Sequence, residues 1–172
     1  MRGSAVLAPA APAVCVLVLV LGSLTGCASW RAGDGDVRYY EDFSTHEPLR
    51  VQGYPSAGSL RLVQEVVWRL GDGDEGKLAS LASSDSSPGE ATKVARGWIA
   101  EFHQGARGQV TAAFCSPGDG REALVLTFHD TGQTKALHVR LDGNGGEDGW
   151  RVRMREAEQA RGETPERLPQ CT

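Results

Sequence analysis

The sequence predicts an α+β domain in which three helices pack on a curved four-stranded antiparallel meander, preceded by a signal peptide and a flexible tether. Three observations carry this expectation. Apolar residues recur at three- and four-residue spacings from Leu60 to Phe102, the period of a helix with one buried face. After Gly108 the period falls to two, the alternation of half-buried strands. The first 26 residues hold a short, strictly apolar run with no counterpart later in the chain.

Each element has its own signal. Leu60, Leu62, Val63, Val66, Val67 and Leu70 make the first helical stripe, and Gly71 supplies its stop. Asp72-Gly73-Asp74 turns the chain into a short second helix carrying Leu78, Leu81 and Ala82. Ser87-Pro88-Gly89-Glu90 reads as a capping box with proline at the first helical position. The third helix follows, with Ala91, Val94, Ala95, Trp98, Ile99 and Phe102 along one stripe. The strands are marked by Val110, Ala112 and Phe114, then Leu124, Leu126 and Phe128, then Leu137, Val139 and Leu141, then Trp150, Val152 and Met154. Ser116 to Gly120, Asp130 to Gln133 and Gly143 to Gly149 connect them. One face of each strand is apolar, so the helices must cover that face. Trp98, Ile99 and Phe102 are expected against the strands of Phe128, Val139 and Trp150.

The leader sets the location. Met1-Arg2 gives one positive charge, and the apolar core runs from Ala13 to Leu21. As a helix that core is about 13 Å long, against roughly 30 Å of bilayer hydrocarbon, so it spans poorly. A short charged lead, a short apolar core and small residues after it describe a secretory signal peptide. Leu24-Thr25-Gly26-Cys27 resembles a bacterial lipobox. The resemblance implies that Cys27 carries diacylglycerol on its sulfur and becomes the new N-terminus at the extracytoplasmic face of the cell membrane. The expected divisions are a signal peptide at 1–26, a lipidated Cys27 and extended tether at 27–57, the domain at 58–156 and a polar tail at 157–172. Within the tether, Val37 to Phe43 is rich in aromatics and is expected to dock on the domain as an extended segment.

Removal of the leader leaves 146 residues with a formal charge of −5, and this acidic balance gives no reason to expect nucleic acid. Lysine occurs three times while arginine abounds, as in proteins of GC-rich genomes. Of four cysteines, Cys15 leaves with the leader and Cys27 takes the lipid. Cys115 and Cys171 remain, either as one disulfide or as two free thiols. A bridge would close a loop of about 56 residues and contribute about 4 kcal/mol in the chain-entropy account.

The order of these elements is that of a nuclear transport factor 2-like cone. Val67 to Asp74, with Leu78 and Leu81 after it, resembles that superfamily's helix–Gly-Asp–helix opening. Trp98 to Arg155 looks like a recurrent domain of small actinobacterial lipoproteins of unknown function. The resemblance covers roughly residues 58–156, and an unrelated α+β sandwich is the alternative.

Enzymes with such cones place a carboxylate, or a histidine with a tyrosine, inside the cone. Here the inward strand positions are nearly all Leu, Val, Phe, Ala and Met, and none of His46, His103, His129 and His138 falls among them. No phosphate loop, metalloprotease helix or nucleophile elbow occurs, so no catalytic residue, metal or cofactor is assigned. Alternation instead puts His138 and Arg140 opposite Leu137, Val139 and Leu141, and Arg151, Arg153 and Arg155 opposite Trp150, Val152 and Met154. That outer cationic stripe fits an anionic envelope surface or an acidic partner, and equally an ordinary solvated face. The function expected is a non-enzymatic, membrane-anchored binding module. A hydrophobic-ligand carrier or isomerase-like enzyme, and an accessory subunit of an envelope secretion or transport assembly, stand beside it.

Overall fold

The structure is a computed structural model that describes residue 39 and residues 42–118, 120–142 and 145–154. The chain divides into two units, residues 1–31 and 32–172, and every described residue belongs to the second. The signal peptide, Leu24, Thr25, Gly26, Cys27, Arg155 and Cys171 therefore lie outside the described residues.

The described unit is α+β, as expected. Strand β1 (Arg50–Gln52) leads into helices α1 (Ala57–Asp72), α2 (Glu75–Ser80) and α3 (Pro88–Ala106). Strands β2 (Val110–Gly118), β3 (Arg121–Phe128), β4 (Gln133–Leu141) and β5 (Trp150–Val152) follow, with a short 3-10 helix at Gly146–Gly149 before β5. The sheet order is β1-β2-β3-β4-β5. The last four strands make the antiparallel meander that alternation predicts.

The expected four-stranded sheet with three helices needs correction. The sheet has five strands and is mixed, because β1 pairs parallel with β2, Val51 opposite Ala112. Helical residues 42–45 also precede β1. Both features come from the stretch read as tether. All three residues of β1 are exposed, so nothing in the strand alternates; its pairing with a distant strand makes it a strand.

Caps fix the helices. Ser56 accepts from the Ser59 N–H at 3.1 Å to open α1, and Ser87 accepts from Glu90 N–H at 3.3 Å to open α3, where proline occupies the first turn. Gly71 is not the stop of α1. The helix continues to Asp72 and ends at Gly73, whose φ of 71° is the left-handed cap conformation. Gly71 serves packing: a Cβ there would lie 3.0 Å from the Ala106 carbonyl oxygen where α1 passes the end of α3.

Val63, Val66, Val67 and Leu70 of α1, Leu78 of α2 and Val94, Ala95 and Phe102 of α3 meet the inward strand residues in one core. Phe102 stacks on Phe128 with centroids 5.2 Å apart. Ile99 and Trp98 sit at the core's margin, partly buried, and Lys135 Nζ lies 4.5 Å from the centre of the Trp98 ring. Every expected inward strand position is buried except Leu141, which is 40% exposed. Leu141 lies past the helices' cover, at a strand end flanked by the Gly120 and Gly149 turns.

The first hairpin is tighter than its sequence implies. Residues expected to form a loop, Ser116 to Gly118, continue β2 and pair with β3. A bulge between Phe114 and Ser116 leaves Cys115 as the extra residue. The other edge of the sheet is covered. Ser83 N–H donates to Val152 O and Val152 N–H to Leu81 O, both at 2.9 Å, so the α2–α3 connection lies along β5 and satisfies its edge.

Candidate functional site

The register places Arg121, Arg140 and Arg151 directly opposite one another across β3, β4 and β5. Arg121 joins the expected row because the β3–β4 register carries it there, which its own strand cannot reveal. Like charges in such a row repel, and the fold relieves the repulsion. Arg140 pairs with Asp85 at 3.4 Å and Asp142 at 3.3 Å, and Arg153 reaches Asp85 at 3.7 Å. Asp142 accepts the Ser84 N–H and hydroxyl, and these bonds, with Arg140, hold its carboxyl below the usual range against a small opposing effect of burial. Arg151 turns its guanidinium to the Asp148 and Trp150 carbonyls, at 2.8 and 2.7 Å. His138 is half-buried between these strands. The expected stripe is thus a paired centre at Arg140, tied to the α2–α3 connection, with Arg121, Arg151 and Arg153 around it.

The inner face differs from expectation at one position. Glu122 alternates inward and is only 6% exposed. One of its oxygens accepts the Ser56 N–H at 3.2 Å, while Glu147 accepts the Gly58 N–H at 2.6 Å. Two carboxylates distant in sequence thus meet the N-terminus of α1, where unpaired N–H groups and the helix dipole favour negative charge. They tie β3 and the 3-10 turn to the helix.

The surface of the described residues carries shallow hollows. One, of about 350 Å³, is lined by small residues of the α2–α3 connection, including Ser83, Ser84 and Ala91. Another, of about 290 Å³, lies between Arg61, Glu65, Glu147, Trp150 and Arg151. Leu124, Leu126, Phe128, Leu137 and Val139 line neither, because helices pack directly on them. His103 bonds the Leu70 carbonyl at 2.9 Å, capping the end of α1, and His129 bonds the Thr111 hydroxyl at 2.8 Å. No group of three or more metal-ligating side chains forms among the described residues, and no described helix is long and apolar enough to cross a membrane.

The densest polar and aromatic constellation is on α1. Trp68 is 2% exposed although it lies off the stripe that faces the sheet. The rings of Tyr39, His46 and Phe43 cover it, with centroids at 5.4, 5.4 and 6.1 Å, and His46 is stacked on the indole. Trp68 Nε1–H donates to Glu47 O at 3.4 Å, and Leu49 N–H to Gln64 Oε1 at 2.9 Å. Beside the rings, Arg69 bridges Asp42 and Asp72, and His46 Nε2 bonds Asp72 at 2.9 Å. Burial works against charging His46. The Asp72 hydrogen bond, the Asp42 carbonyl and the two negative charges outweigh it and raise the imidazole above its ordinary pKa. The aromatic segment therefore docks as expected, but as helix at 42–45 rather than extended chain. Its signal in the sequence was a tryptophan off the apolar stripe together with aromatics in a supposed tether.

Cys115 takes part in a disulfide, and its expected partner Cys171 lies outside the described residues. Comparison of the chain with family models, curated proteins and solved structures finds no match.

Proposed function

We propose that this protein is a non-enzymatic binding module held by a lipid on Cys27 at the extracytoplasmic face of the cell membrane, its domain built as a nuclear transport factor 2-like cone. The filled inner sheet face carries this reading: Leu124, Leu126 and Phe128 are fully buried against the helices, where a carrier or isomerase would need an open cavity with converging polar groups. Recognition then falls to the surface. The edge around Arg121, Arg151 and Arg153 is the part of this acidic chain best suited to anionic headgroups or an acidic partner. The accessory-subunit reading assigns the same surface to an envelope assembly.

Replacing Cys27 by alanine is expected to leave an uncleaved precursor or to release the protein from the membrane fraction. Wild-type processing and fractionation of the variant would overturn the anchor. In the same reading Cys115 pairs with Cys171, closing the tail onto the β2 bulge. Intact mass before and after reduction, with a Cys171→Ser control, tests this. The bridge predicts a gain of two hydrogens in the wild type and none in the monomeric control, whereas equal masses in the wild type would remove it.

A further inference from the structure

We propose that Tyr39 and residues 42–49 form a pH-responsive latch that closes on α1 through His46 and Asp72. The latch does not rest on the lipid anchor.

Three features distinguish this contact from ordinary core packing. Its ring and ionic contacts are made to one helix, through Trp68, Arg69 and Asp72 of α1, while Leu49 alone packs at the margin of the core. Its polar half is a chain of charges, Asp42–Arg69–Asp72–His46, that runs from the segment onto the helix and back to the segment. And its last member is a histidine, the side chain whose ordinary pKa lies nearest neutrality. The charged groups around His46 are Asp42 and Glu47 on its own segment, and Asp72 and Arg69 on α1, with Arg61 and Glu65 further along that helix. Arg69 already serves both aspartates, so a protonated His46 adds a second cation to a site with two carboxylates. The ring also lies by the last turn of α1, where the helix dipole favours positive charge.

The direction follows from linkage. A histidine whose folded-state pKa is raised stabilises the docked state fully below its ordinary value of about 6.5, and that stabilisation is lost as pH rises through the raised value. The latch therefore tightens in acid and loosens in base.

Hydrogen exchange on the full-length chain tests this at about pH 5.5 and about pH 8.5, either side of the ordinary histidine value. Amides of residues 42–49, corrected for intrinsic rates, should lose about two- to fivefold in protection at the higher pH, as a partly exposed ion pair provides. Amides of α3 and β3 should hold theirs. In His46→Gln the pH dependence of the segment should vanish while the global fold persists. Equal protection at both pH values in the wild type, or the same loss in His46→Gln, would overturn the proposal. Failure of Cys27 lipidation would leave this result untouched.

Discussion

Phe102→Ala is expected to destabilise the protein by about 3–5 kcal/mol, the range for a large buried aromatic. Phe102 is 3% exposed and stacked on Phe128, so truncation leaves a void walled by β3 and α3 that neither can collapse to fill. Trp98, one turn earlier on the same helix, should cost only about 1–2 kcal/mol on truncation, since a half-buried ring removes far less area from water. Part of even that loss is the contact with Lys135 Nζ. The pair of variants is diagnostic where either alone is not. Urea midpoints at constant slope would measure both. A Trp98→Ala cost equal to that of Phe102→Ala would mean that α3 is rotated, with its tryptophan and not its phenylalanine against the sheet.

That contrast bears on what the chain's pattern could reveal. Period alone places Trp98, Ile99 and Phe102 on one stripe, and the stripe is real. Position within the stripe depends on how far the sheet extends beneath it, which no periodicity encodes. The same limit applies to Leu141, which alternates correctly and still lies partly in solvent because the cover ends before it. Glu122 is the converse: a charged residue at an inward position, tolerated because the open end of α1 happens to lie against it. The strands were legible because alternation is local. Strand β1 was not, since three exposed residues become a strand only through pairing with β2, some sixty positions away. The arginine row suffered likewise. Alternation named Arg140, Arg151 and Arg153, but the register with β3 brought in Arg121, and the α2–α3 connection supplied the aspartates that pair its centre.

Trp68→Ala should be as damaging as Phe102→Ala, about 3–5 kcal/mol, but by a different route. Val63, Val66, Val67 and Leu70 already give α1 a full apolar face toward the core. A helix buried beyond one face needs cover on its other side, and here Tyr39, Phe43 and His46 provide it. The indole is the common partner of all three rings and also donates to the Glu47 carbonyl, so its loss removes the platform on which Tyr39 and residues 42–49 rest. Arg69 and Asp72 would keep their mutual bond, while their contacts to Asp42 and His46 would become exposed ion pairs of small value. The variant should accordingly show two signatures: a lowered urea midpoint, and protection of amides 42–49 collapsing toward that of free chain while α3 and β3 remain slow to exchange. His46→Gln, by contrast, should remove only the pH dependence and leave the platform standing. A Trp68→Ala cost below about 1 kcal/mol with the segment still protected would show that residues 42–49 are held by something other than this ring, and would sever the aromatic half of the latch from its ionic half.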